Sequence, residues 1–260
     1  AGYYWRIIRI NSNGSIRMIY DGTSAHANGE SSANRQYGTS KFNTANNNNM
    51  YVGYMYTSGE AHGTGTSSTV KIANDKFYTD KLSSYASKLD TNTGFCGDRS
   101  NLNNQSGVGT GTVITYNKGY LRVVESAPTL TCENASDYYT VASASNGNKK
   151  LSYPIGSITA DEVMLAGHAG GVFDGDYNHM KTNNGSYLIT GNDFWTMTPA
   201  GGYNPFGNTS WCADMFDVGG SGGVDDRCAS NALGLRPVIN IRSDVTVTGT
   251  GTITDPYTVS

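Results

Sequence analysis

The chain has 260 residues, of which 37 % are hydrophobic and 15 % charged, with a formal net charge of −3. That balance leaves no electrostatic footprint for nucleic acid, and no run of about 18 apolar residues is present to insert into a bilayer. Aromatic residues make up 11 %, which excludes the aromatic-poor, highly charged profile of disorder and points to a β-rich, loop-heavy extracellular domain.

No secretory signal is present, and the first residues, Trp5-Arg6-Ile7-Ile8-Arg9-Ile10, already read as a strand. Any leader or anchor is expected outside this sequence. Asn11-Ser12-Asn13-Gly14-Ser15 reads as a turn, because Asn-Gly tolerates positive φ, and Ile16, Met18 and Tyr20 complete a hairpin. Residues 21–49 are polar and irregular and read as surface. Tyr51-Val52-Gly53-Tyr54-Met55-Tyr56 reads as a short extended segment. A helix is predicted over 68–89, with Tyr78, Leu82, Tyr85 and Leu89 on one face.

Val113-Ile114-Thr115-Tyr116 and Tyr120-Leu121-Arg122-Val123-Val124 read as strands. A second, short helix starts at Thr159-Ala160-Asp161-Glu162, which has the form of a capping box, and ends at Gly167. Trp195-Thr196-Met197-Thr198-Pro199 and Gly234-Leu235-Arg236-Pro237-Val238-Ile239-Asn240-Ile241 form apolar bookends around a glycine-rich stretch. Within it Ala213, Met215 and Val218 follow a strand period, with Asp214 and Asp217 on the intervening, outward positions. Gly219-Gly220-Ser221-Gly222-Gly223 reverses the chain. The tail, Asp244 to Thr254, reads as another glycine-linked hairpin. No linker divides the chain, so residues 1–260 are expected to form one α+β domain, with two short helices, mixed antiparallel sheet and long loops.

Candidate chemistry is sparse. There is no Gly-x-Ser-x-Gly elbow, and His26, His62, His168 and His179 sit in polar or glycine-rich surroundings that read as surface. Asp174-Gly175-Asp176-Tyr177-Asn178 opens like a calcium loop, but His179 and Gly185 stand where an EF-hand needs glycine and glutamate. A turn with exposed carboxylates is the better reading, with a calcium site of another kind as the alternative. Asp214, Asp217, Asp225 and Asp226 read as solvated carboxylates rather than an acid–base pair. The four cysteines fit two disulfides in an oxidising compartment, with reduced thiols as the alternative. Cys212 and Cys228 lie about evenly to either side of the glycine turn, so a cross-strand bridge is preferred over reactive thiols, leaving Cys96 with Cys132. No cofactor is expected. Trp195 reads as core. Tyr203, Phe206 and Trp211, among glycine, asparagine and serine, have the composition of binding loops; the alternative is that one or two of them, Phe206 above all, seal the loop onto the domain.

The Trp195–Pro199 segment, the Ala213-x-Met215-Phe216-x-Val218 strand and the Gly234-Leu235-Arg236-Pro237 ending together resemble the C-terminal part of C-type-lectin-like domains, in the formylglycine-generating-enzyme-like branch. Trp5 to Ile10 with Asp21-Gly22-Thr23 is similar to surface proteins of gut Firmicutes that share this ending. Some members of the branch are variable proteins of diversity-generating retroelements, in bacteria or their phages. The resemblance implies a non-enzymatic adhesion or receptor-recognition module, with a diversifiable face at 195–241. It implies display of Ala200, Gly202, Tyr203, Asn208, Trp211, Asp214, Asp217, Asp225, Arg227, Ser230 and Asn231, although Trp211 and Arg227 fit poorly among the residues that adenine-directed codon mutagenesis, the diversifying step in such proteins, gives from asparagine codons. The implied partner is a protein or glycan on another cell or host surface. The calcium-dependent sugar motifs (Glu-Pro-Asn, Gln-Pro-Asp, Trp-Asn-Asp) are missing, as is the closely spaced cysteine pair of the enzymes. An enzyme of the formylglycine-generating type or another metal-dependent enzyme, and a structural tail or pilus tip, are the alternatives.

Overall fold

The computed structural model describes residues 2–102, 116–141, 147–168, 185–201 and 212–259. The elements run β1 (Trp5–Ile10), β2 (Ile16–Tyr20), β3 (Thr39–Lys41), β4 (Met55–Tyr56), β5 (Thr66–Ser67), α1 (Thr69–Phe77), β6 (Phe95–Cys96), α2 (Lys118–Val124), β7 (Tyr138–Tyr139), β8 (Ile155–Gly156) and α3 (Ala160–Leu165). They continue with β9 (Phe194–Gly201), β10 (Asp214–Val218), β11 (Val224–Cys228), β12 (Ala232–Gly234), β13 (Val238–Ile241), β14 (Val247–Thr248) and β15 (Thr258–Val259). The class is α+β, with mostly antiparallel sheets and short helices.

The N-terminal hairpin forms as expected, with Asn11 to Ser15 as its turn and Gly14 at φ +81°. It pairs through β2 with β13, giving a four-stranded sheet in the order β1-β2-β13-β8. Because side chains alternate across a strand, this sheet feeds two cores. Ile19 and Val238 enter one, whereas Tyr20, Ile239 and Ile241 pack with Phe77, Tyr78 and Leu82 in the other. Arg17, on the Ile19 side, is buried over the Phe95 ring and paired with Glu162 at 2.6 Å.

A five-stranded sheet, β11-β10-β9-β12-β3, makes the second layer. The chain passes from one sheet to the other through Leu235-Arg236-Pro237. Arg236 is fully buried there, reaching Asp21 at 2.9 Å and lying over Phe194. Asp21 also receives Arg35 at 2.8 Å and Arg6 at 2.7 Å.

Helix α3 begins with the capping box read from sequence: the Thr159 hydroxyl accepts from the Glu162 amide, and the Glu162 carboxylate accepts from the Thr159 amide. The predicted 68–89 helix is capped by Ser68 but is α-helical only to Phe77; it then widens to a π-turn and tightens to 3-10 geometry. The segment 51–56 is partly a 3-10 turn. Lys118–Val124 is helical where Tyr120 to Val124 read as strand. Its β-type composition is overridden by context, since Val123 is buried and Arg122 pairs with Asp98 and Asp161. The described residues therefore hold three α-helices rather than two. The 113–115 part of the other strand reading lies outside the described residues.

Both disulfides are present, Cys96–Cys132 and Cys212–Cys228. Among the described residues no helix is long and apolar enough to cross a membrane.

Candidate functional site

Strand β9 is the bed on which the late hairpin rests. All its residues are buried; the Trp195 indole donates to Ser40 O and the Thr196 hydroxyl to Phe216 O. Its pairing with β10 slips register between Asp214 and Met215 and again between Met215 and Asp217. Such irregularities re-aim side chains beside functional sites.

Strands β10 and β11 pair in register, Asp214 opposite Cys228 and Asp217 opposite Asp225. Their turn depends on two glycines. Gly222 has φ +96°, and Gly220 lies so close to Gly191 that an added Cβ would meet its backbone carbon at 2.7 Å. His168 bonds Gly222 O through Nδ1 and Ser186 Oγ through Nε2, tying the turn to the body. The open end is stapled by Cys212–Cys228, with Cα atoms 5.4 Å apart. Replacing both cysteines by alanine is expected to lower stability by about 3 kcal/mol, the entropy returned to an unfolded loop of about this length, as read from urea unfolding.

Five aspartates and one arginine gather on this hairpin and the segment beside it. The Arg227 guanidinium lies 3.3 Å from Asp225, 3.5 Å from Asp193 and 3.8 Å from Asp217. Asp217 is 0 % exposed, and neither carboxylate oxygen accepts a hydrogen bond. Burial, reinforced by Asp225, pushes it up to about 8. Burial, then Asp226, takes Asp214 to about 8, and burial with Asp225 takes Asp226 to about 6. Tyr116 and Tyr120 pack with tilted rings, centroids 4.6 Å apart, and burial, then nearby charge including Asp226, raises both phenols. The site therefore combines carboxyls held above their ordinary range by burial, a partly exposed cation and a pair of neighbouring tyrosines.

The structure separates the predicted display residues into groups. Asp214, Asp225, Arg227 and Ser230 are partly exposed, and Asn231 is exposed. Ala200, at 1 % exposure, and Asp217 are buried and are not displayed. A period of two puts Asp217 on the same buried face as Ala213 and Met215, and α3 packs against β9, β10 and β11. The reading of four solvated carboxylates is corrected accordingly. Gly202, Tyr203, Asn208 and Trp211 lie outside the described residues, as do Phe206, His179 and the Asp174–Asn178 segment. His26 and His168 are buried, against the surface reading.

Tyr116, Tyr120 and Asp193 were not singled out from sequence, because the two tyrosines sat in segments that read as strand and Asp193 in no recognisable pattern. Among the described residues, Cys212, Asp214 and Cys228 are the group spaced for a metal ion. Their sulfurs are joined to each other, so they offer no thiolate. No protein-family model matches the chain, and neither a curated protein nor a solved structure is significantly similar to it.

Proposed function

We propose that the chain is a ligand-binding module of the C-type-lectin-like kind, whose binding face acts by contact and not by catalysis. Its binding face is the β10–β11 hairpin together with residues 202–211, which join β9 to β10. The observation that carries this reading is the contrast within one hairpin. Met215, Phe216 and Val218 are locked into the body, while Asp225, Arg227, Ser230 and Asn231 reach solvent. Such a frame lets outward contacts change without unfolding the domain.

The pairing of the early hairpin with β13 also supports the reading, because it joins segments before and after the late excursion in one sheet. Two disulfides fit an oxidising, extracellular setting. The partner is a protein or glycan on another cell or host surface, and the outward positions are the ones open to diversification.

Changing Asp225, Arg227, Ser230 and Asn231 together to alanine is expected to leave the melting temperature within about 3 °C, because surface changes cost little. The same variant should lose at least about tenfold in affinity for immobilised mucin or for ligands found on a glycan array, as hot-spot side chains carry most binding energy. Unchanged binding by a folded variant would sink the proposal. Sequencing this locus from many cells tests the diversification: substitutions should concentrate in 200–231.

A further inference from the structure

Residues 21–34 hold a constellation that the binding reading does not use. His26, 4 % exposed, places Nδ1 2.7 Å from Glu30 Oε1 and Nε2 3.3 Å from Ser24 Oγ. Glu30 is held in turn by the Ala27 amide, which donates to its other oxygen at 2.9 Å. A carboxylate only accepts, so Nδ1 carries the proton and Nε2 presents its lone pair to the serine. Asn34 Nδ2 donates to Ser24 Oγ at 3.2 Å, and Asn34 Oδ1 accepts from the Ser32 hydroxyl, which sets the orientation of the amide. The polarity of the chain of bonds is therefore uniform, from Asn34 through Ser24 and His26 to Glu30.

Two further features argue for a built arrangement. The segment is pinned to the body at several points: Arg6 donates to His26 O, Arg35 donates to Glu30 O at 2.6 Å, Gly29 N to Ser186 O and Ser32 N to Thr190 O. Rigid support of this kind is what a catalytic group needs. In addition, Gly22 has φ +108°, and a Cβ there would come within 3.1 Å of His26 Nε2 and 3.0 Å of Asn34 Oδ1. Only a glycine lets the backbone pack this closely against the buried imidazole, while Ser24 itself is exposed.

We propose that Ser24, His26 and Glu30 form an acyl-transfer site acting on short carboxylic esters. Ser24 Oγ attacks the ester carbonyl while its proton passes to His26 Nε2. The imidazolium is held by Glu30, and Asn34 Nδ2–H is the neighbouring donor for the developing oxyanion. The carbon–oxygen bond to the alcohol breaks as His26 returns the proton to the leaving oxygen. Water then cleaves acyl-Ser24 by the same route, releasing the acid and restoring the serine. A short acyl group is specified because the only apolar side chains in 21–34 are Ala25, Ala27 and Ala33. Glu30 acts through His26 and is a positioning residue.

The test uses the whole chain with p-nitrophenyl acetate and a fluorophosphonate probe. The probe should add its mass to the peptide containing Ser24. Ser24→Ala should lower kcat/KM at least about 100-fold, the scale of a base-assisted nucleophile, with the melting temperature unchanged. Because His26 is buried and its removal endangers folding, Glu30→Gln is the second variant. It should lower kcat about tenfold or more at constant KM and constant melting temperature, a split that a loop-fastening role would not produce. No adduct at Ser24, or turnover in Ser24→Ala equal to that of the native chain, overturns the site. Unchanged kcat in Glu30→Gln overturns the role of the carboxylate.

Discussion

Asp21→Ala is expected to lower the free energy of unfolding by about 3–5 kcal/mol, the cost of removing one partner from a buried ion pair. Three guanidinium groups converge on this one carboxylate. Arg35 and Arg236 are wholly buried, and Arg6 approaches from the partly exposed β1. Burial lowers Arg236 to about 10, with Asp21 opposing that shift. Without Asp21 the two buried cations keep only carbonyl acceptors: Tyr20 and Leu188 for Arg236, and Glu30, Tyr187 and Ile189 for Arg35. Carbonyls satisfy donors but do not neutralise charge. Both guanidinium groups fasten residues 187–189 to Asp21 at the end of β2, and Arg236 lies over Phe194 of β9, so the loss should spread to both sheets. Urea unfolding checks this, and a loss under about 1 kcal/mol would show that the carbonyl cage suffices.

Asp217→Asn should do the opposite and stabilise the protein by about 1–3 kcal/mol at pH 8.5, because it removes a buried charge that no hydrogen bond compensates. The sign follows from the direction of the shifts. A carboxyl raised to about 8 in the fold, against 3.8 when unfolded, contributes stability that is complete below about pH 4 and is lost as pH rises through about 8. Asp214 acts in the same sense. His168 runs the other way: burial lowers it, so its contribution is present at higher pH and is lost on acidification. Melting temperatures at pH 6.5 and 8.5 therefore bracket the aspartate effect. The native chain should melt several degrees lower at pH 8.5, at about 2–4 °C per kcal/mol for a chain of this size, and Asp217→Asn should flatten that slope. Parallel curves for the two proteins would remove Asp217 from the explanation.

What was legible in the sequence was local or apolar. The Thr159 capping box, the Asn-Gly hairpin, the burial of Trp195 and the bridge across the glycine turn each depend on a few residues or on one clear pattern. Helix α2 was not legible, because Tyr-Leu-Arg-Val-Val favours strand and only distant partners, Asp98 and Asp161 on Arg122, hold it as a helix. Asp217 was misplaced because the period was carried past Phe216 to Val218: strict alternation puts Asp217 on the face of Ala213 and Met215, all three of them buried. The Ser24–His26–Glu30 set escaped because histidine in a polar loop carries no sign of burial in sequence, and no nucleophile-elbow pattern surrounds the serine.

Residues 202–211 are moored at both ends: Gly201 pairs with Asp214, and Cys212 is bonded to Cys228. Between fixed moorings, lengthening a connection costs only closure entropy, roughly 0.6 kcal/mol for each doubling. The span can therefore accept insertions as cheaply as exchanges of side chain. On the binding function proposed above, a module built this way can change the reach of its contact surface as well as its chemistry, while the strands beneath keep their register.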